Sequence, residues 1–124
     1  MDTIIDTNIL IRFFIRDNEA QYQKSYRLIK KIEKGEIKGL ISLLVVNETV
    51  WVLQHYYELK REIFIPKLLQ LFALKNIKIM EVEKARVVVI LTTIEKSSLD
   101  FTDAYLLQVA NKRKIASFDH DLSK

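Results

Sequence analysis

Apolar and polar positions along this chain alternate between two periods, and the switches mark its elements. A short β-branched run at Ile4 and Ile5 reads as a buried strand that stops at Asp6. Thr7 and Asn8 suit the start of a helix, which the apolar run over 9–15 continues to Arg16-Asp17-Asn18. Over 19–34, Tyr22, Tyr26, Leu28, Ile29 and Ile32 recur at steps of three and four among lysines, so an amphipathic helix is expected, with Gly35 as its stop. Gly39-Leu40-Ile41 reads as a second strand and Ser42 as the cap of a densely apolar helix over 43–57. A further helix lies within 62–74. Proline is tolerated in a first turn, so Pro66 sets the expected start near Phe64 or Ile65.

Ile77 to Met80 is the third expected strand. The stretch 82–95 is helical by spacing, although Val87–Ile90 would also pass for a strand. Ser97-Ser98-Leu99-Asp100 breaks the chain before a helix over 101–112, and 115–118 reads as a fourth strand ending at Asp119-His120-Asp121. Strands that alternate with helices pair in parallel through right-handed crossovers. The expected fold is therefore α/β: a single domain over 1–124, with a parallel sheet of about four strands and helices on both faces.

That topology changes the meaning of four acids. Strand C-terminal ends and the first turns of returning helices gather along one edge of an open α/β sheet, where ligands bind. Asp6 follows strand one, and Glu48 lies in the first or second turn after strand two. Asp103 opens the helix before strand four, and Asp119 follows that strand. The helical neighbours of Glu48 are Leu44, Val45, Trp51 and Val52, and those of Asp103 include Leu99, Leu106 and Leu107. An ionised carboxylate on an apolar face is costly unless a cation or hydrogen bonds compensate it. Each acid also has a plainer use. Asp6 would cap its helix, Glu48 would complement the helix dipole, Asp100 and Asp103 have capping-box spacing, and Asp119 would end a strand.

Composition narrows what such a cluster would hold. The 124 residues contain no cysteine and only two histidines, His55 and His120, which excludes disulfides and thiolate sites and leaves little room for zinc. Oxygen donors alone suit a hard divalent cation, Mg²⁺ or Mn²⁺, and a phosphodiester is the substrate that then needs least further machinery. With 49% hydrophobic residues and no apolar run of membrane-spanning length or signal pattern, a cytoplasmic protein is expected. The net charge of +4 is spread over helix surfaces, either as solvated faces or as a surface for a polyanion.

Four segments carry a resemblance: D-T-N-I-L (residues 6–10), N-E-T-V-W-V-L (47–53), L-D-F-T-D-A-Y-L (99–106) and S-F-D-H-D-L (117–122). In order and spacing they resemble the PIN-domain nucleases, and within them the VapC-type toxins of toxin–antitoxin pairs. The resemblance implies a three-layer α/β/α fold, with Asp6, Glu48, Asp103 and Asp119 as the acidic quartet and Asp6 and Asp103 as principal Mg²⁺ (or Mn²⁺) ligands. It makes Asn8 and Ser117 polar supports, and Asp100 and Asp121 auxiliary acids. It further implies a metal-dependent endoribonuclease that cuts a tRNA or rRNA, is neutralised by a cognate antitoxin, and forms a homodimer. Members usually add a short strand after the fourth acid, so either a sheet one strand smaller or a truncated chain is expected here. A DNA-directed nuclease and a non-catalytic RNA-binding or assembly domain are the alternatives. The scarcity of histidine disfavours a metal-free route through a ribose 2′-hydroxyl. His120 is expected as an exposed loop residue, His55 as structural and Trp51 as a core residue, with Tyr56 and Tyr57 available to stack on bases.

Overall fold

A computed structural model describes residues 1–118. Its elements are β1 (Asp2–Ile4), α1 (Thr7–Phe14), α2 (Glu19–Glu33), β2 (Lys38–Ile41), α3 (Leu43–Trp51), a π-helical turn (Val52–Tyr56), α4 (Arg61–Phe72), β3 (Ile77–Ile79), α5 (Lys84–Glu95) and α6 (Phe101–Ala110). The strands form one parallel sheet in the order β1-β2-β3, with Ile4 opposite Leu40 and Leu40 opposite Lys78. Together with the helices the sheet makes the three-layer α/β/α arrangement.

The core forms where strand alternation meets helix periodicity. Ile5, Ile41, Ile77 and Ile79 are buried on the sheet, against Ile29 and Ile32 of α2, Val46 and Val50 of α3, and Phe64, Leu68 and Phe72 of α4. Gly39 lets that layer close on the central strand. A Cβ there would lie 2.8 Å from the Cδ1 atoms of both Ile32 and Ile5, and 3.0 Å from that of Ile77.

Helix ends follow the expected chemistry. Asn18 caps α2, and Gly35, at φ 80°, ends it: the Glu36 N–H reaches back to the Lys31 carbonyl at 3.0 Å. The segment 82–95 resolves in favour of a helix, α5, whose Val87, Ile90, Leu91 and Ile94 are buried at helical spacing.

Two expectations are corrected. Helix α4 starts at Arg61, a full turn ahead of Pro66. Pro66 removes one donor, but it and Glu62 are both exposed, so water can serve the Glu62 carbonyl while Phe64, Ile65 and Leu68 anchor the helix. Residues 115–118 form no strand, and the sheet of the described residues has three. Ala116, Ser117 and Phe118 are all exposed, so this segment lacks the buried partner face that would reward pairing. Among the described residues no helix is long and apolar enough to cross a membrane.

Candidate active site

The C-terminal ends of the three parallel strands supply the floor of the site. Asp6 sits two residues beyond β1, Ser42 one beyond β2, and Glu81 two beyond β3. Each is placed by a local capping need. Asp6 is the N-cap of α1, its Oδ1 accepting the Thr7 N–H at 2.8 Å, so the plainer reading of this acid holds as well as its place at the edge. Ser42 caps α3 by accepting the Leu44 N–H at 3.1 Å. Glu81 then accepts the Ser42 hydroxyl at 2.6 Å and the Leu43 N–H at 2.7 Å, which ties the start of α3 to the end of β3. Those bonds, the Ser42 hydroxyl first, hold the Glu81 carboxyl below its usual pKa.

So anchored, α3 projects Glu48 from its second turn toward α1. The buried Thr7 hydroxyl donates to Glu48 Oε1. Asp6, Asn8, Arg12, Glu48, Trp51 and Tyr56 line one groove of about 490 Å³, with Thr7 at its base. Asp6 and Glu48 are exposed, and among the described residues neither makes an ion pair. Arg12, the cation in the groove, is engaged elsewhere: its guanidinium donates to Asp17 at 2.6 Å. Two carboxylates thus face one space whose lining guanidinium, Arg12, is paired with Asp17 and not with either of them.

Asp103 lies in the first turn of α6, half-buried, its N–H donating to Asp100 Oδ1 at 2.8 Å, as the capping-box spacing predicts. It does not line the Asp6–Glu48 groove. Helix α6 nonetheless touches α3, and Trp51 lines both the groove and a second, smaller cavity whose other walls include Asp100, Thr102, His55 and Arg61. Ser117 is exposed in the irregular segment after α6. Asp119, His120 and Asp121 lie outside the described residues.

A family comparison now bears on this edge. The family model of the PIN domain matches residues 3–124. The chain belongs to the PIN domain family. No curated protein and no solved structure matches it. PIN domains are generally nucleases that act on nucleic acid and typically use divalent metals. Oxygen donors without a cationic partner are the chemistry a hard divalent ion requires, so Asp6 and Glu48 fit that use. Among the described residues of this PIN domain no three acidic or imidazole groups come close enough to hold a metal on their own. Mg²⁺ keeps several waters and is often held by only one or two carboxylates, so two protein donors suffice for a partial shell.

The aromatic expectations change most. Trp51 is 59% exposed and Tyr56 73% exposed, and His55, expected to be structural, is exposed with its ring 5.2 Å from the indole. Three groups escaped sequence reasoning. Glu81 carries the same signal as Asp6, an acid just past a strand, and was findable. Thr7 showed only as a helix-start residue. Arg61 gave no sign: its Nη1 donates to the carbonyls of Ile94 (2.7 Å), Ser97 (3.0 Å) and Leu99 (2.6 Å), and its Nε to Gln54 Oε1 (3.1 Å). It thereby fixes the loop that leads into Asp100 and Asp103.

Proposed function

We propose that this PIN domain is a Mg²⁺- or Mn²⁺-dependent endoribonuclease, the toxin of a toxin–antitoxin pair, in which Asp6, Glu48, Asp103 and Asp119 form the acidic site. The observation that carries the nuclease reading is the pairing of Asp6 and Glu48 in one groove without a compensating cation. The toxin reading, with a tRNA or rRNA substrate, a neutralising antitoxin and a homodimer, is supported by the four sequence segments that resemble VapC-type proteins.

Asp6 and Asp103 would be the principal ligands. What a divalent ion supplies when bound is an activated water and charge neutralisation on the phosphoryl group under attack. The protein's part is positional. The Asp6 Oδ1 accepts the Thr7 N–H at the α1 N-terminus, which fixes the carboxylate at the sheet edge. Thr7 holds one oxygen of Glu48 on the groove wall, and Asn8 on the same wall offers an amide to a phosphate or sugar oxygen. The Arg61 clamp sets the approach of α6, and with it Asp103.

The test is cleavage of cellular RNA by the purified protein with Mg²⁺, then with EDTA, beside growth of cells expressing wild type or Asp6→Asn. Metal-dependent cleavage and growth arrest from wild type alone are expected. Cleavage that survives EDTA would overturn the metal mechanism, and preferential cutting of single-stranded DNA the substrate. Cleavage without growth arrest in antitoxin-free cells would remove the toxin role alone.

A further inference from the structure

The aromatic side of the acidic groove has no role in the chemistry above. Trp51 and Tyr56 are large, apolar and mostly exposed, yet they sit in a chain with ample core positions nearby: Val46, Val50 and Leu53 of the same helical stretch are buried. Single exposed apolar residues are ordinary, but grouped aromatics on the wall of a charged groove mark a binding surface.

The π-helical turn explains the grouping. A regular α-helix advances 3.6 residues per turn, so Tyr57, nine positions past Glu48, would point about half a turn away from it. Over Val52–Tyr56 the hydrogen bonding widens, with the Tyr57 N–H donating to the Val52 carbonyl at 3.1 Å and the Leu59 N–H to the Leu53 carbonyl at 3.0 Å. The wider turn takes up more residues per revolution and brings Tyr57 round to the groove beside Tyr56. Glu58, at φ 56°, then ends the run. The rings brace one another: Trp51 against His55 at 5.2 Å, and Tyr56 edge-on to Tyr57 at 4.9 Å.

We propose that Trp51 and Tyr56 form a stacking platform for an unpaired nucleobase next to the acidic groove, so that the site takes single-stranded or unstacked RNA rather than intact duplex. This rests on the nuclease reading of the same groove. The rings share one groove with Asp6 and Glu48, so a nucleotide whose phosphate reaches the acids carries its base onto the rings. A base is flat, uncharged and π-faced, which suits a wall where two carboxylates repel anything anionic; a duplex keeps its bases stacked inside and offers no face. Because Trp51 also borders the cavity at the α6 N-terminus, the platform spans the ground between Glu48 and the helix of Asp103.

Trp51 is the sole tryptophan of the chain, so its emission reports this surface directly. The experiment titrates the full chain in EDTA, both as wild type and as the Asp6→Asn, Glu48→Gln double variant, which lacks the two groove carboxylates. The probes are a short oligouridylate, the same backbone without bases, and an RNA duplex. Saturable quenching by oligouridylate is expected, with binding of the abasic strand and the duplex weaker by about 5- to 160-fold, the worth of one base–aromatic stack. Tyr56→Leu, at an exposed position, should weaken oligouridylate binding by a similar factor and leave abasic binding unchanged. Equal binding of base-bearing and abasic strands, or unmoved Trp51 emission, would overturn the platform. Cleavage by wild type in Mg²⁺ is scored separately: base-dependent quenching without cleavage sinks the nuclease and keeps the platform, and the reverse pattern does the opposite.

Discussion

The Thr7 hydroxyl donates to the Glu48 carboxylate across a separation of 41 residues, joining the first turn of α1 to the second turn of α3. One hydroxyl thus sets the spacing of the two acids, because the neighbouring N–H of Thr7 holds Asp6. Thr7→Val keeps the shape and removes the donor. Groups that orient a metal ligand are typically worth 10–100-fold in metal affinity or activity. The expected result is a loss of about that size in Mn²⁺ affinity by calorimetry and in cleavage rate, with Thr7→Ser close to wild type.

Metal should stabilise the fold. A ligand present at about 100 times its dissociation constant adds about 2.7 kcal/mol to the folded state. Thermal unfolding with Mg²⁺ or Mn²⁺ should therefore shift up by several degrees and return with EDTA. Asp6→Asn, which keeps a good N-cap, should lose the metal shift without a large change in the metal-free midpoint. A shift of equal size in that variant would remove Asp6 from the ligand set.

Arg61 is expected to matter through structure. It is the shared donor for three carbonyls at the end of α5 and the loop after it. Arg61→Ala strips them of a charged partner, and hydrogen bonds to charged groups contribute about 1.5–3 kcal/mol. Urea unfolding should show a loss in that range, and hydrogen exchange over residues 97–103 should accelerate more than in α2.

Acid sensitivity should report Glu81. Its carboxyl titrates below the ordinary value of 4.5 in the folded chain, because the Ser42 hydroxyl and the Leu43 N–H favour the charged form. A depressed folded pKa gives stability that is complete above the unfolded value and is lost as pH falls through the folded one. Midpoints measured from pH 7 down should fall below about pH 4.5 in wild type. Glu81→Gln should start lower at pH 7 and converge with wild type in acid. Glu19, held at about 2 chiefly by Arg16, acts in the same direction in both proteins and cancels in the difference.

What was legible in the sequence was what local chemistry decides. Asp6, Ser42, Gly35 and Asp100 occupy the termini their side chains suit, and burial of Val87, Ile90 and Ile94 selected a helix over a strand. The three strands were findable because each carries a short apolar stretch between turn signals. What was not legible depends on distant parts of the chain. Residues 115–118 have the composition of a strand but pair with none of the described strands, and pairing depends on the packing around a segment as well as on its composition. Trp51 sits among apolar neighbours in sequence, yet only the packing of α3 against α1 and α6 decides which side of the helix meets solvent. The Thr7–Glu48 bond and the Arg61 clamp join segments tens of residues apart, so no spacing rule announces them.

The π-helical turn has a consequence for how such a groove diverges. It amounts to one residue of surplus taken up in a helix, so ordinary winding over the same residues would turn Tyr57 by about 100° relative to Glu48. Asp6 and Glu48, both ahead of that stretch, would be untouched, while Tyr57 would leave the wall. Two chains with identical carboxylates could thus grip different nucleotides through a change in helix winding alone, which a position-by-position comparison of their charged residues would overlook.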